Sequence, residues 1–156
     1  CGWQCTDLLV GLAGIDQWLS DGDPHRLPSP RPLDALAGEW PQQTYDAVYT
    51  ANSFHIMPWG GVLAVFAALP ALLVQGGRLI VYGPFRVGGE FVSPSDAQFD
   101  ASLQARDPAM GLRDLEQVAD LAERVGLQLL EHVAMPANNH CLVWTMAAAD
   151  GNAHHQ

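Results

Sequence analysis

The residues best suited to chemistry cluster in one stretch, YDAVYTANSFHIMPW, from Tyr45 to Trp59. Its first half reads as a buried strand, β-branched and aromatic; its second half turns to Asn52, Ser53 and His55. An amide offers donor and acceptor together, and a neutral imidazole can take a proton near neutral pH. Tyr82, Gly83, Pro84 and Phe85 form a second cluster, followed by Arg86. Arg106 and Arg113 are further cations suited to an acidic group, and Asn138-Asn139 a further amide pair. Each has a plainer alternative. Asn52 can tie its own turn together, His55 can pack, and Phe85 can belong to the core. Arg106-Asp107 and Arg113-Asp114 can be internal ion pairs, and Asn138-Asn139 a tight turn.

Other chemistries are poorly supplied. No metal is expected: Cys1 and Cys5 are loosely spaced without a partner pair, and His140 and Cys141 point to opposite faces of a strand. His154-His155 reads as a metal tract or as solvated tail. All seven positive charges are arginine, so Schiff-base chemistry and a phosphate-loop lysine are both excluded. There is no G-x-S-x-G elbow and no dinucleotide fingerprint, which counts against a nicotinamide-dependent oxidoreductase. A net charge of −10 argues against duplex nucleic acid as a partner. The longest apolar run, Val62 to Val74, contains Pro70, stops at Gly76-Gly77 and is too short for a membrane span. No signal peptide is read, and three cysteines give no disulfide framework, so the cytoplasm is the expected compartment.

Several elements must position these groups. Gly2 to Thr6 reads as a short buried strand ending at Asp7, and Leu8 to Leu19 as a helix weakened by Gly11 and Gly14. Ser20 to Pro32 reads as a loop, and Leu33-Asp34-Ala35 as the end of a short strand. Trp59 to Gln75 has helical spacing, with a kink or restart expected at Pro70 and a stop at Gly76-Gly77. Arg78 to Tyr82 is a strand. Ser95-Asp96-Ala97-Gln98 has capping-box spacing before a short helix that Asp107-Pro108 ends. Asp114 can cap a helix that stops at Gly126, and Leu127 to Met135 and Cys141 to Met146 are strands. The tail from Ala147 to Gln156 reads as disordered. The alternation predicts an α/β fold with a mostly parallel sheet, and the short last turn makes its final two strands antiparallel to each other.

In these residues the chain resembles the class I S-adenosylmethionine-dependent methyltransferases, whose Rossmann-like sheet ends in such an antiparallel pair. More closely it resembles the small methyltransferase-like family catalogued as domain of unknown function 938, relatives of human methyltransferase-like protein 26. The blocks that carry the likeness are WQCTD at 3–7, YDAVYTANSFHIMPW at 45–59, YGPF at 82–85, SPSDAQFDASLQARDPAMGLRD at 93–114 and MPANN at 135–139. The resemblance implies one methyltransferase-like domain over 1–146, and also an earlier strand and glycine-rich loop that nothing here supplies. With a chain that begins at Cys1, the expectation is an N-terminal truncation.

The resemblance further implies S-adenosylmethionine as cofactor. Asp7 would accept from its ribose hydroxyls, as a carboxylate can from a diol, or else cap the following helix. Asp34 would meet the adenine amino group. Asn52 and Ser53 would hold the amino acid end or a polar group of the substrate, and His55 would be the general base. Tyr82, Phe85, Arg86, Arg106, Asn138 and Asn139 would surround the acceptor. The function expected is methyl transfer to a small-molecule or other non-duplex acceptor. The alternative is a non-catalytic binding module that keeps the fold without the chemistry.

Overall fold

Two compact units divide the chain, Cys1–Trp40 and Pro41–Gln156. Across them the computed structural model describes residues 2–7, 15, 17, 19, 20, 22, 23, 25, 26 and 28–148, with the backbone alone at Asp7. Most of the expected helix from Leu8, and the tail from 149 with His154-His155, therefore lie outside the described residues. Ile15, Gln17 and Leu19 have helical backbone, as their spacing predicts.

In the first unit, strand β1 (Thr6–Asp7) pairs in parallel with β2 (Arg31–Pro32). The ladder is short because Pro32 has no N–H to continue it. The Gln4 amide supplements it by donating to Ser29 O at 2.9 Å. Two expectations are corrected here. The strand starts at Thr6 rather than Gly2, and the preceding Trp3 is 50% exposed rather than buried. The second strand is Arg31–Pro32, not residues 33–35. Asp34 leaves the ladder because its Oδ1 accepts from Leu36 N at 3.0 Å and caps a 3-10 turn, Ala35–Ala37.

The second unit runs β3 (Tyr45–Ala51), α1 (Trp59–Leu72), β4 (Leu73–Pro84), α2 (Pro94–Arg106), α3 (Leu115–Arg124), β5 (Leu127–Met135) and β6 (Asn139–Met146). Its sheet has the order β3-β4-β6-β5. β3 and β4 are parallel, as a helical crossover through α1 allows, while β6 lies antiparallel to both β4 and β5. The fold is thus α/β with a mixed sheet and the antiparallel ending the sequence implied; "mostly parallel" is only approximate. Leu79 faces Trp144 and Val81 faces Leu142 on one side of the sheet. Against that side pack Val62, Phe66 and Leu69 of α1, at helical spacing, and Val118 and Ala122 of α3.

Three boundaries differ from expectation. α1 passes Pro70 without a break and ends at Leu72, so the expected kink or restart is replaced by a continuous helix with proline in its last turn. β4 then begins at once. Its register with β3 jumps from Tyr45–Leu73 to Ala47–Arg78, and Gly76 at φ 76° bends the chain out between them. Gly76-Gly77 is a bulge in a strand rather than a helix stop. α2 is capped by Ser93, whose Oγ accepts from Asp96 N at 3.3 Å, with Pro94 in the first helical position; the Ser95 reading began two residues late.

The bulge leaves little room. A Cβ at Gly77 would stand 2.8 Å from Val74 O and 3.2 Å from Asp46 O. Gly77→Ala is expected to destabilise the fold by about 1–3 kcal/mol, read as a lowered urea midpoint. Among the described residues no helix is long and apolar enough to cross a membrane.

Candidate active site

β3 ends at Ala51, and the next residue leaves the extended region: Asn52 has φ 53°. Asparagine is one of the few L-residues that adopts this conformation readily. Its backbone N–H donates to Tyr82 O at 2.8 Å, which holds the turn against the end of β4. Its Oδ1 lies 3.6 Å from where a Cβ at Gly83 would stand, so the amide rests over bare backbone. Ser53 Oγ donates to Ala51 O at 3.1 Å and tightens the same turn.

His55 follows in a turn closed by Ile56 N donating to Ser53 O at 3.1 Å. It is 6% exposed, and its ring meets Phe99 of α2 edge-on, with centroids 5.4 Å apart. Burial, and secondarily the Arg113 charge, lowers its pKa below the ordinary 6.5. The imidazole is therefore neutral at physiological pH, the form a base requires.

Arg113 fixes this loop. Its Nε donates to Phe54 O at 3.0 Å, and a terminal nitrogen donates to Met57 O and, at 2.9 Å, to Ala109 O. The guanidinium lies over the Trp59 ring at 5.7 Å. Burial is the main cause that lowers its pKa; Arg86 adds to this and Asp100 opposes it. The expected pairing of Arg113 with Asp114 is corrected: Asp114 Oδ1 stands 2.9 Å from Arg86 Nε instead. That contact also explains why Asp114, although at the N-cap of α3, makes no side-chain cap bond. The segment before Arg113 is held from α2, where Asp100 Oδ1 accepts from Leu112 N at 2.8 Å.

The remaining candidates divide by location. Tyr82 is half-buried, opposite Ala51 on one side and Cys141 on the other. Phe85 is 2% exposed and sits in the core, edge-on to His140 at 6.1 Å. Arg86 lies over the Phe91 ring at 5.9 Å as well as facing Asp114. Arg106 is exposed in the last turn of α2. Asn138 has φ 61° and donates to Ser93 Oγ at 3.0 Å, and Asn139 donates to Pro136 O at 3.1 Å, so the pair does build a tight turn. Asp7 and Asp34 belong to the first unit, Asp7 opposite Pro32 and Asp34 two residues beyond it. The second unit thus brings Asn52, Ser53, His55 and Tyr82 to the carboxyl ends of β3 and β4. Among the described residues, no three His, Cys, Asp or Glu side chains gather as a metal would need.

Sequence reasoning weighed Asp96 only within a helix cap and His140 only as a metal ligand, and passed over Asp100; all three are buried polar residues. The four-residue spacing of Asp96 and Asp100 on one helix face was the available signal.

The fold has counterparts among known proteins. A family model described as "Protein of unknown function (DUF938)" matches residues 1–146. An O-methyltransferase family protein from Burkholderia thailandensis superposes with a TM-score of 0.79 at 16% identity, covering 96% of this chain and 45% of that one. Human N-acetylserotonin methyltransferase, solved in complex with SAM, gives 0.76 at 11% identity, covering 95% and 41%. The pyocyanin biosynthetic protein PhzM gives 0.72 at 22% identity, covering 91% and 42%. These likenesses establish the fold, and the chain spans less than half the length of each of these proteins.

Proposed function

Since the chain belongs to the family described as protein of unknown function (DUF938), and its fold is that of solved methyltransferases, we propose that residues 1–146 form an S-adenosylmethionine-dependent methyltransferase domain. It acts in the cytoplasm on a small-molecule or other non-duplex acceptor. The observation that carries this reading is the edge itself. Asn52 lies in a left-handed turn over bare Gly83, and a neutral His55 follows in a loop that Arg113 holds.

Each unit, taken by itself, carries polar groups of the kind the resemblance assigns to the cofactor. Asp34 uses one carboxylate oxygen as a cap and keeps a second for the adenine amino group. Asp7, at the end of β1, is the acid for the ribose hydroxyls, and Asn52 with Ser53 holds the amino acid end. When bound, S-adenosylmethionine supplies an electrophilic methyl group. The chain's part is to orient the acceptor and receive its proton. His55 takes that proton, and Tyr82 and Arg106 remain available to the acceptor's outer groups.

A second reading, a non-catalytic module with this fold, draws support from the burial of His55 against Phe99. Titration calorimetry with S-adenosylmethionine and S-adenosylhomocysteine separates the two. Saturable heat with both is expected. No heat with either would remove the cofactor, and protein partners captured equally with and without cofactor would favour the module.

A further inference from the structure

His55 rests on a strip of chain just before α3. Its backbone oxygen accepts from Gly111 N at 3.0 Å, and the nearby carbonyls of Phe54 and Met57 accept from the Arg113 side chain. Between those two donors, Leu112 N serves a different neighbour and donates to Asp100 Oδ1 of α2 at 2.8 Å. Residues 111–113 are thus bonded both to the His55 loop and to α2. The helix also reaches the imidazole directly, through the Phe99 ring.

Asp100 is well placed to hold that strip. It is buried, and both of its oxygens are engaged, since Oδ2 accepts from Gln104 Nε2 one turn along the helix at 3.1 Å. Bonds at both oxygens fix the orientation of a carboxyl group. The strip is shaped to meet it. A Cβ at Gly111 would stand 3.0 Å from Asp100 Oδ1 and 3.3 Å from Gln104 Nε2, so glycine lets the backbone come this close. Apolar packing contributes less to the hold. Leu103 is buried, yet no side chain of α2 belongs to the hydrophobic core or to the partly buried residues packed against it.

We propose that Asp100 is a positioning residue for His55, acting through Leu112 and Gly111 on the His55 carbonyl. It touches no reacting atom. Its part is to keep the strip, and with it the His55 loop, in one place. A single hydrogen bond favours such an arrangement about tenfold, and a misplacement of about 1 Å can slow a reacting group roughly 100-fold. The consequence for methyl transfer rests on the methyltransferase reading above; the tie itself does not.

The test compares Asp100→Ala with Asp100→Asn in the full chain. Both substitutions remove the carboxylate, but only alanine removes the acceptor. An asparagine oxygen can still take the Leu112 N–H, while Gln104 turns its own amide to accept from the new NH2 group. Histidine-ring NMR follows the His55 titration, its signal identified by loss in His55→Gln. Arg113, the charge that acts on His55, is present in every variant. In Asp100→Ala the His55 pKa is expected to rise toward 6.5 as the ring loosens from its enclosure, and in Asp100→Asn to stay near the wild-type value. A purely structural role would lower the Tm of Asp100→Ala and leave that titration unmoved. In turnover, kcat should fall about tenfold in Asp100→Ala with S-adenosylhomocysteine affinity within a factor of about two, and Asp100→Asn should recover most of it.

An unmoved His55 titration in Asp100→Ala, or an equal movement in Asp100→Asn, would overturn the proposal. Should Asp100→Ala not fold, Gln104→Ala decides, because it frees Oδ2 and leaves Leu112 its acceptor. A smaller rise of the His55 pKa is expected there, and none would overturn the tie. Wild-type protein that neither turns over nor binds S-adenosylhomocysteine would remove the methyltransferase reading, while the His55 titrations would still decide the role of Asp100.

Discussion

Replacing His55 with alanine is expected to lower methyl transfer by about 100-fold or more, the usual contribution of a positioned general base. Binding of S-adenosylhomocysteine should stay within a factor of about two, because the imidazole acts on the acceptor's proton rather than on the cofactor. The pH dependence carries the sharper signature. Burial and the Arg113 charge depress the His55 pKa below 6.5, so the basic form predominates at neutral and alkaline pH. The rate should be level there and fall only as pH drops through the lowered value, where the imidazole gains a proton and can no longer accept one. In His55→Ala that acid limb should vanish along with most of the rate. An unchanged limb, or undiminished turnover, would move the base to another residue.

The second large effect is expected at Arg113. Its guanidinium serves the carbonyls of Phe54, Met57 and Ala109, joining the loop around His55 to the segment before α3. Arg113→Ala leaves three acceptors without their donor, and charged hydrogen bonds of this kind make the expected loss about 3 kcal/mol. A Tm lower by roughly 10 °C or more should accompany it. Arg113→Lys keeps the charge but not the planar fork, so it should recover less than half of the loss. If Arg113 is a positioning residue for His55, kcat should fall more than the affinity for S-adenosylhomocysteine in both variants. Equal losses in the two quantities would reduce it to a structural tie.

These two residues also show what the amino-acid sequence discloses. His55 was legible because a strand-forming run that turns abruptly polar marks the end of a buried strand, a local signal. The order of elements and the antiparallel finish were legible for the same reason, through periodicity and turn residues. Arg113 was not. Two of its three partners are carbonyls more than fifty positions away, and nothing in Arg113-Asp114 favours a distant backbone over the adjacent carboxylate. Asp114 likewise goes to Arg86, because the turn after β4 brings that guanidinium to the start of α3. The strand misread at 33–35 has the opposite cause: one short-range bond, Asp34 to Leu36, outweighed a pattern read over three residues. His140 was weighed only as a metal ligand, because a histidine beside a cysteine on a strand looks like any alternating pair until its register with Gly83 is known.

The strand order β3-β4-β6-β5 has a consequence in time. β6 is the last of these four strands in sequence yet holds an interior place in the sheet, bonded on both sides. As the polypeptide leaves the ribosome, β4 must wait with one edge open, and β5 has no partner at all, until residues 139–146 emerge. Synthesis proceeds at about 5–20 residues per second, so the exposure is brief when elongation is steady and long when it stalls. A chain halted a few codons short of β6 would present Leu79, Val81 and an unpaired strand edge to its neighbours, a template for aggregation. Of these four strands, the last to be made is therefore the one that joins the others.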